Sequence, residues 1–385
     1  MGRSLRIVHC FRSPVGGVFR HIRDLAEYHA ANGHQVGIVC DSTTGGALEE
    51  RYIDELRPAL ALGVRRPPMQ RHIGPGDIAS AWRTYRVIKE LQPDILHGHG
   101  AKGGAFARVF GSVLRASGSG VARLYTAHGG VLHYDAASLK GRTMFAIERG
   151  LARMTDRLLF VSDYERRAFH DKIGRTAAPE SLVYNGLRPH EFEPVAAGPG
   201  AADFLYIGAM RDLKGPDLML DAIAQAEAWT GRELFAVMVG DGDDLPRYRE
   251  QAQRLGLTSR IRFLPPMPAR EAFALARTIV VPSRAEAMPY IVLEALAAGK
   301  TMIATAVGGI PEIFPAGSPA LVAPDAHDLA GRMATLLADE AGFARHMPAA
   351  EELRARFGAD VMAAEIERIY LELADKSRGG GSSLS

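Results

Sequence analysis

The chain is short of cysteine, of long apolar runs and of clustered aromatics, and each shortage excludes a class of protein. Two cysteines, Cys10 and Cys40, occur in 385 residues. A disulfide framework needs more of them and an oxidising compartment. Both close apolar runs, "LRIVHC" and "QVGIVC", which is where buried reduced thiols sit. There is no C-x-x-C and no Cys/His set at zinc spacing, so no metal is expected. No stretch reaches the ~18 apolar residues of a membrane span. The opening "MGRSLRIVHCF" carries a strand-sized apolar run, not the core of a signal peptide. The expected location is the cytoplasm, or peripherally the inner face of the cytoplasmic membrane. No aromatic run accompanies the arginines, so nucleic acid is not an expected partner.

A hydrophobic fraction of 47% and a charged fraction of 23% are those of an ordinary globular protein. At about 150 residues per domain, the length predicts two domains. The net charge of +2 hides an asymmetry. Residues 1–190 hold 27 Lys and Arg against 17 Asp and Glu, and the remainder holds 19 against 27. The densest basic stretch is "GVRRPPMQRH", with Arg65, Arg66 and Arg71. It reads either as a solvated loop or as an attraction to an anionic membrane surface or a phosphate-bearing acceptor.

Short apolar runs alternate with amphipathic stretches along the front half. "LRIVHCF" predicts a strand, Val18 to Asn32 a helix that stops at Gly33, and "QVGIVC" the next strand, which makes a βαβ unit. "PDILHGHG", "VARLYTAHGG", "RLLFVS" and "SLVYNG" continue as buried parallel strands, since they show little in/out alternation. Proline, glycine and alanine cluster near Pro189 to Ala202. A second series follows: "FLYIGAM", "LFAVMVGDG", "RIRFLPPM", "TIVVPS" and "TMIATAVGG", with helices such as Pro216 to Trp229 and Leu245 to Leu255 between them. The reading is therefore α/β. It has an N-terminal Rossmann-like domain (1–190), a linker (191–202) and a C-terminal Rossmann-like domain (203–358). A crossover helix (359–375) and a disordered tail (376–385) complete it. Ligands of such sheets bind beyond the strand C-termini, so the polar residues there are the candidates.

Gly16-Gly17 follows the first strand and opens a helix, where backbone N–H groups approach an anion; it is neither Walker A nor a full G-x-G-x-x-G. His128 in "YTAHGG" ends a strand beside two glycines, and His97, His99 and Lys102 in "LHGHGAKGG" occupy a similar place. Arg211 and Lys214 in "IGAMRDLKG" form a cation pair suited to a diphosphate. The strongest signal is "VVPSRAEAMPYIVLEALAAGK". Pro289 predicts a helix start, and the N–H groups near it, of Met288, Tyr290 and Ile291, make a phosphate site. Glu286 precedes it and Glu294 lies about 7–8 Å inside. Their carboxylates bracket that phosphate and accept hydroxyl donors. "GDGDD" (Gly240 to Asp244) reads as a turn and cap and not as a metal-binding Asp-x-Asp.

In this order the motifs resemble the retaining glycosyltransferase family 4. They are the Gly-Gly loop, "TAHGG", "FVSDYE", "VYNGL", "YIGAMRDLKG", "MVGDGDD", "RIRFLPPM" and Glu286-x7-Glu294 before "TMIATAVGGIPEI". The resemblance spans nearly the whole chain. It implies the GT-B fold: two Rossmann-like parallel-sheet domains facing a central cleft, the N-terminal one (1–190) on the acceptor side and the C-terminal one (203–358) binding nucleotide-sugar, with a C-terminal helix packed back on the N-terminal domain. It implies metal-independent transfer, with retention, from a UDP- or GDP-sugar to a saccharide or lipid-linked acceptor, in polysaccharide or lipopolysaccharide synthesis. No resident cofactor is implied. Glu286 would hold donor-sugar hydroxyls and Glu294 the ribose. Arg211 and Lys214 would neutralise the diphosphate, Gly16 and Gly17 would approach the phosphates or the acceptor, and His128 would lie beside the sugar. The family's helix start usually reads Glu-Gly-Phe-Gly, and here it reads Glu-Ala-Met-Pro. Two other readings use the same pockets: a non-catalytic nucleotide-sugar-binding subunit and a nucleotide-sugar epimerase.

Overall fold

The computed structural model describes residues 3–70 and 75–379. It divides into two compact units, one holding the chain up to Gly186 together with the segment from Ala359, the other Leu187–Gly358. In the first unit the strands are β1 (Arg6–Phe11), β2 (Gln35–Val39), β3 (Gly63–Arg65), β4 (Ile95–His99), β5 (Ala122–Thr126), β6 (Arg157–Phe160) and β7 (Glu180–Leu182). Each connection is long enough for a helix, so every pairing is parallel. The helices are α1 (Gly16–Ala31), α2 (Ala47–Leu56), α3 (Pro75–Leu91), α4 (Gly100–Ala116), α5 (Leu139–Ala152) and α6 (Asp163–Lys172).

The first sheet runs β3-β2-β1-β4-β5-β6-β7, so the strand order reverses between β1 and β4. Beyond the strand ends at such a reversal, neighbouring connections lead away to opposite faces and leave a crevice. Gly16, at the start of α1, and His99, at the end of β4, stand at this point. All five residues of β4 are buried, as expected of a central strand covered on both faces.

The second unit repeats the plan with β8 (Ala202–Ile207), β9 (Ala236–Val239), β10 (Ile261–Leu264), β11 (Ala276–Val281), β12 (Thr301–Thr305) and β13 (Leu321–Val322), in the order β10-β9-β8-β11-β12-β13. Its helices are α7 (Pro216–Thr230), α8 (Leu245–Arg254), α9 (Ala269–Phe273), α10 (Tyr290–Ala297), α11 (Ala326–Ala338), α12 (Glu340–Ala344) and α13 (Ala350–Phe357). Here the reversal falls between β8 and β11. The loops that leave these two strands carry Arg211, Lys214 and Glu286.

The expected linker, 191–202, is part of the second unit and not a free connector. Val195 N–H donates to the Ala298 carbonyl (2.9 Å) and Gly198 N–H to that of Ala274 (2.8 Å). The last helix, α14 (Ala359–Gly379), belongs to the first unit. Its Met362, Ile366, Ile369, Tyr370 and Leu373 join a buried cluster with Leu5, Ile7 and Leu25. At about 1.5–3 kcal/mol for each large apolar side chain, this contact is a main support of the sheet. The helix runs through Lys376 to Gly379, where a disordered tail was expected; residues 380–385 lie outside the described residues. Cys10 and Cys40 are buried free thiols, and burial pushes the Cys40 thiol up to about 12.

Candidate functional site

In the second unit the site forms on the loop between β11 and α10. Ser283 Oγ donates to Glu286 Oε1 (2.7 Å), and Lys214 Nζ donates to the same oxygen (2.6 Å). The Glu286 side chain is only 9% exposed, so the Lys214 charge is what makes a carboxylate tolerable there. Both bonds fall on Oε1, which leaves Oε2 to accept further donors. Gly308 seats this loop: a β-carbon there would lie 1.8 Å from the Glu286 carbonyl oxygen, and Gly309 N–H donates to the Ala287 carbonyl (2.9 Å). "VGG" is thus the floor under Glu286.

Lys214 closes a 3₁₀ turn, Asp212–Lys214. Gly215 follows at φ +68, with a virtual β-carbon 2.0 Å from the Pro282 carbonyl oxygen, so only glycine lets this turn meet the end of β11. Arg284 spans the same two loops through Asp217 (2.8 and 2.5 Å) and the Asp212 carbonyl (2.6 Å). Of the expected Arg211/Lys214 cation pair, Lys214 is held by Glu286 and Arg211 is exposed. Pro289 is the N-cap, in an extended conformation, and Tyr290 opens α10. Met288 and Tyr290 are buried, so their side chains line the core and only backbone groups of this segment can meet a phosphate. Glu294 is half-buried inside α10. "GDGDD" is a turn in which Met210 N–H donates to the Asp241 carbonyl (2.9 Å); Asp244 precedes α8 without a side-chain capping bond.

In the first unit Gly16 and Gly17 are exposed at the start of α1, Gly16 with a left-handed φ of +61. His128 also has a positive φ, +48, which costs a non-glycine residue free energy and marks a functional position more often than chance. A residue the sequence reading passed over holds this turn. Glu165, buried in "FVSDYE", accepts from Gly129 N–H and from Val161 N–H (3.0 Å). Ser162 Oγ caps α6 by accepting from Glu165 N–H (3.1 Å). Burial pushes the Glu165 carboxyl up to about 7, although its two backbone donors pull the other way.

Five histidines converge here from four elements: His9 on β1, His21 on α1, His97 and His99 on β4, and His128 after β5. The sequence reading singled out His128, with His97 and His99 as weaker candidates, and missed His9 and His21. Burial lowers the pKa of all five, to about 4 for His21, so the rings are neutral near pH 7. Lys102 lies one turn into α4 and donates to the Gln70 carbonyl, away from them. The basic stretch is also used internally. Arg66 donates to the Asp41 carbonyl (3.1 and 3.0 Å) and the Thr44 carbonyl (3.1 Å) and pairs with Glu50, while Arg65 is exposed. Arg71 and His72 lie outside the described residues.

Two family models match this chain: Glycosyltransferase Family 4 over residues 15–191 and Glycosyl transferases group 1 over residues 188–359. The chain belongs to this glycosyltransferase family. Among curated relatives, the D-inositol 3-phosphate glycosyltransferase of Corynebacterium efficiens is 31% identical over 187 residues, 46% of this chain and 44% of that one. An exopolysaccharide phosphotransferase of Streptomyces coelicolor is 29% identical over 230 residues, 57% of this chain and 24% of that one. The matched stretch thus spans less than half the length of these relatives. The crystal structure of Anabaena HepE with UDP and glucose superposes with a TM-score of 0.78 at 18% identity, covering 95% of this chain and 99% of that one. The two parallel sheets are those of the GT-B fold. Ser283, legible beforehand only as the end of "VVPS", is the second donor to Glu286 Oε1.

Proposed function

We propose that this protein transfers a sugar from a nucleoside-diphosphate sugar, UDP- or GDP-linked, to an acceptor hydroxyl with retention of configuration and without a metal. The observation that carries the reading is the Glu286 carboxylate, buried at the strand-order reversal of the second sheet and clamped through one oxygen by Lys214 and Ser283. A carboxylate held this way cannot rotate to act as a mobile acid or base, but its second oxygen is fixed as a hydroxyl acceptor. Glu286 then orients the donor sugar and Glu294, inside α10, the ribose. Arg211 and Lys214 stabilise the departing diphosphate, with Lys214 turning from Glu286 toward phosphate oxygens as charge develops. The N–H groups of Met288 and Tyr290, just before and at the start of α10, add their dipole there, while Pro289 between them has no N–H and fixes the turn. Gly16 and Gly17 give backbone access to an anion, and His128 serves the sugar. Support comes from family membership and from a structural relative that holds UDP and glucose. The exopolysaccharide relative supports an acceptor in cell-surface polysaccharide or glycolipid synthesis.

A thermal-shift screen across UDP-, GDP- and ADP-sugars tests the donor class, since a ligand at a hundred times its Kd adds about 2.7 kcal/mol. Glu286→Ala should lower kcat at least about a hundredfold, as the loss of one transition-state hydrogen-bonding group does. Stabilisation by no nucleotide-sugar, or full activity in Glu286→Ala, would overturn the assignment.

A further inference from the structure

The five clustered histidines, four of them buried and His128 half-buried, are more than the proposed reaction uses, and their geometry says what the surplus does. His9 Nδ1 lies 3.0 Å from His99 Nε2, and His99 Nδ1 lies 3.1 Å from His128 Nε2. The corresponding ring centres are 5.2 and 5.4 Å apart. Each separation exceeds the nitrogen-to-nitrogen distance by about two ring radii. Both nitrogens of each pair therefore lie on the line joining the ring centres, and their lone-pair directions point at one another. Ligands of a shared cation point instead at a common third position. The closeness of His9, His99 and His128 is thus that of a hydrogen-bonded chain, with His97 and His21 packed beside it.

The frame around the chain fixes the rings. His97 has both nitrogens engaged, with the Tyr370 hydroxyl (2.6 Å) and Thr126 Oγ1 (2.8 Å), and its ring centre is 4.0 Å from that of His99. His21 meets His128 edge-on at 4.8 Å.

A neutral imidazole carries one proton, so a chain of three has two proton orders. In one, every ring is protonated at Nε2, and the proton on His9 Nε2 is fully buried with no acceptor among the described residues. In the other, every ring is protonated at Nδ1, and His9 Nε2 is left only as an unused acceptor. Orphaned buried N–H groups are the rarer case. The second order makes His9 donate to His99 and His99 donate to His128.

We infer that His99, backed by His9, is a positioning residue: it donates to His128 Nε2 and thereby holds His128 as the Nδ1–H tautomer, a fixed neutral donor toward an oxygen of the bound sugar. The role in transfer rests on the function proposed above; the tautomer does not. The inner ring of the chain is pinned on β1 and the next on β4, and the outer ring sits on the turn that Glu165 braces. His128 therefore arrives with its proton already placed, and needs neither to gain nor to lose one.

The test is ¹⁵N spectroscopy of histidine-labelled protein, with the His128 signals assigned by their loss in His128→Gln. The expected result is a neutral His128 protonated at Nδ1, the opposite of the tautomer free histidine prefers. His99→Leu should shift His128 toward the Nε2–H form and lower kcat about tenfold with little change in KM, the cost of one misplaced hydrogen bond. His99→Asn, whose amide N–H replaces the lost donor, should restore both. A wild-type His128 protonated at Nε2 would overturn the inference with no variant needed. So would a tautomer unmoved by His99→Leu, or a kcat unmoved when the tautomer shifts. Wild-type protein with the Nδ1–H form but without transfer would overturn the reaction and leave the chain of donors standing.

Discussion

Glu165 shows how one buried carboxylate ties stability to the site. Its carboxyl ordinarily titrates near 4.5 and in the fold is pushed up to about 7. The folded state therefore holds a proton that the unfolded chain releases between these values. Its contribution to stability is full below pH 4.5 and is lost as pH rises through 7. Wild type should lose about 3 kcal/mol relative to Glu165→Gln over this window, at 1.36 kcal/mol per unit. Urea denaturation of both proteins at pH 5 and pH 8 measures the difference, and parallel profiles would contradict it. The sequence could not rank Glu165 above other acidic residues. "FVSDYE" shows a capped helix start, but the partners of Glu165 lie on Gly129 and Val161, and only the fold brings them together. Glu286 and Glu294 could be singled out because both stand in one local loop-helix element. The bond from Lys214 to Glu286 could not be foreseen, because the two residues are 72 positions apart.

Elements were read well where burial made them long and uniformly apolar, and missed where they were short. β3 has three residues and β13 two, too few for any pattern to emerge. The tail was read as disordered from its composition, but α14 continues to Gly379 because its apolar face is already anchored against α1 and β5. The same helix reaches the histidines through Tyr370, whose hydroxyl meets His97 Nδ1. Tyr370→Phe keeps the ring and the packing but leaves that nitrogen unpaired, at a cost of about 1–3 kcal/mol. Ile366→Ala, on the same face, opens a cavity and should cost about 2–5 kcal/mol. Thermal melts of the two variants separate the contributions, and a Tyr370→Phe protein as stable as wild type would show that the hydroxyl bond carries nothing. Arg108 and Glu148 illustrate what stays hidden in sequence. They form a buried pair that joins α4 to α5, with the Arg108 guanidinium 3.9 Å above the Tyr125 ring. Neither residue lies in a recognisable motif.

At the scale of the molecule, each unit repeats one strand order, and the site residues stand where that order reverses. This explains why the reading of the fold succeeded: alternating strands and helices allow few arrangements, and the parallel crossover rule selects among them. The boundaries were less legible, because a proline- and glycine-rich segment signals irregular backbone and not independence. Here that backbone is hydrogen-bonded into the second unit. The function proposed above makes one claim, that this protein moves a sugar from a nucleotide carrier with retention and without a metal. The most direct test follows the anomeric proton signals of donor and product by NMR during turnover in chelator-treated protein. The account predicts a product with the donor's anomeric configuration, formed at an undiminished rate; an inverted product, or a rate that returns only on adding a divalent cation, would contradict it.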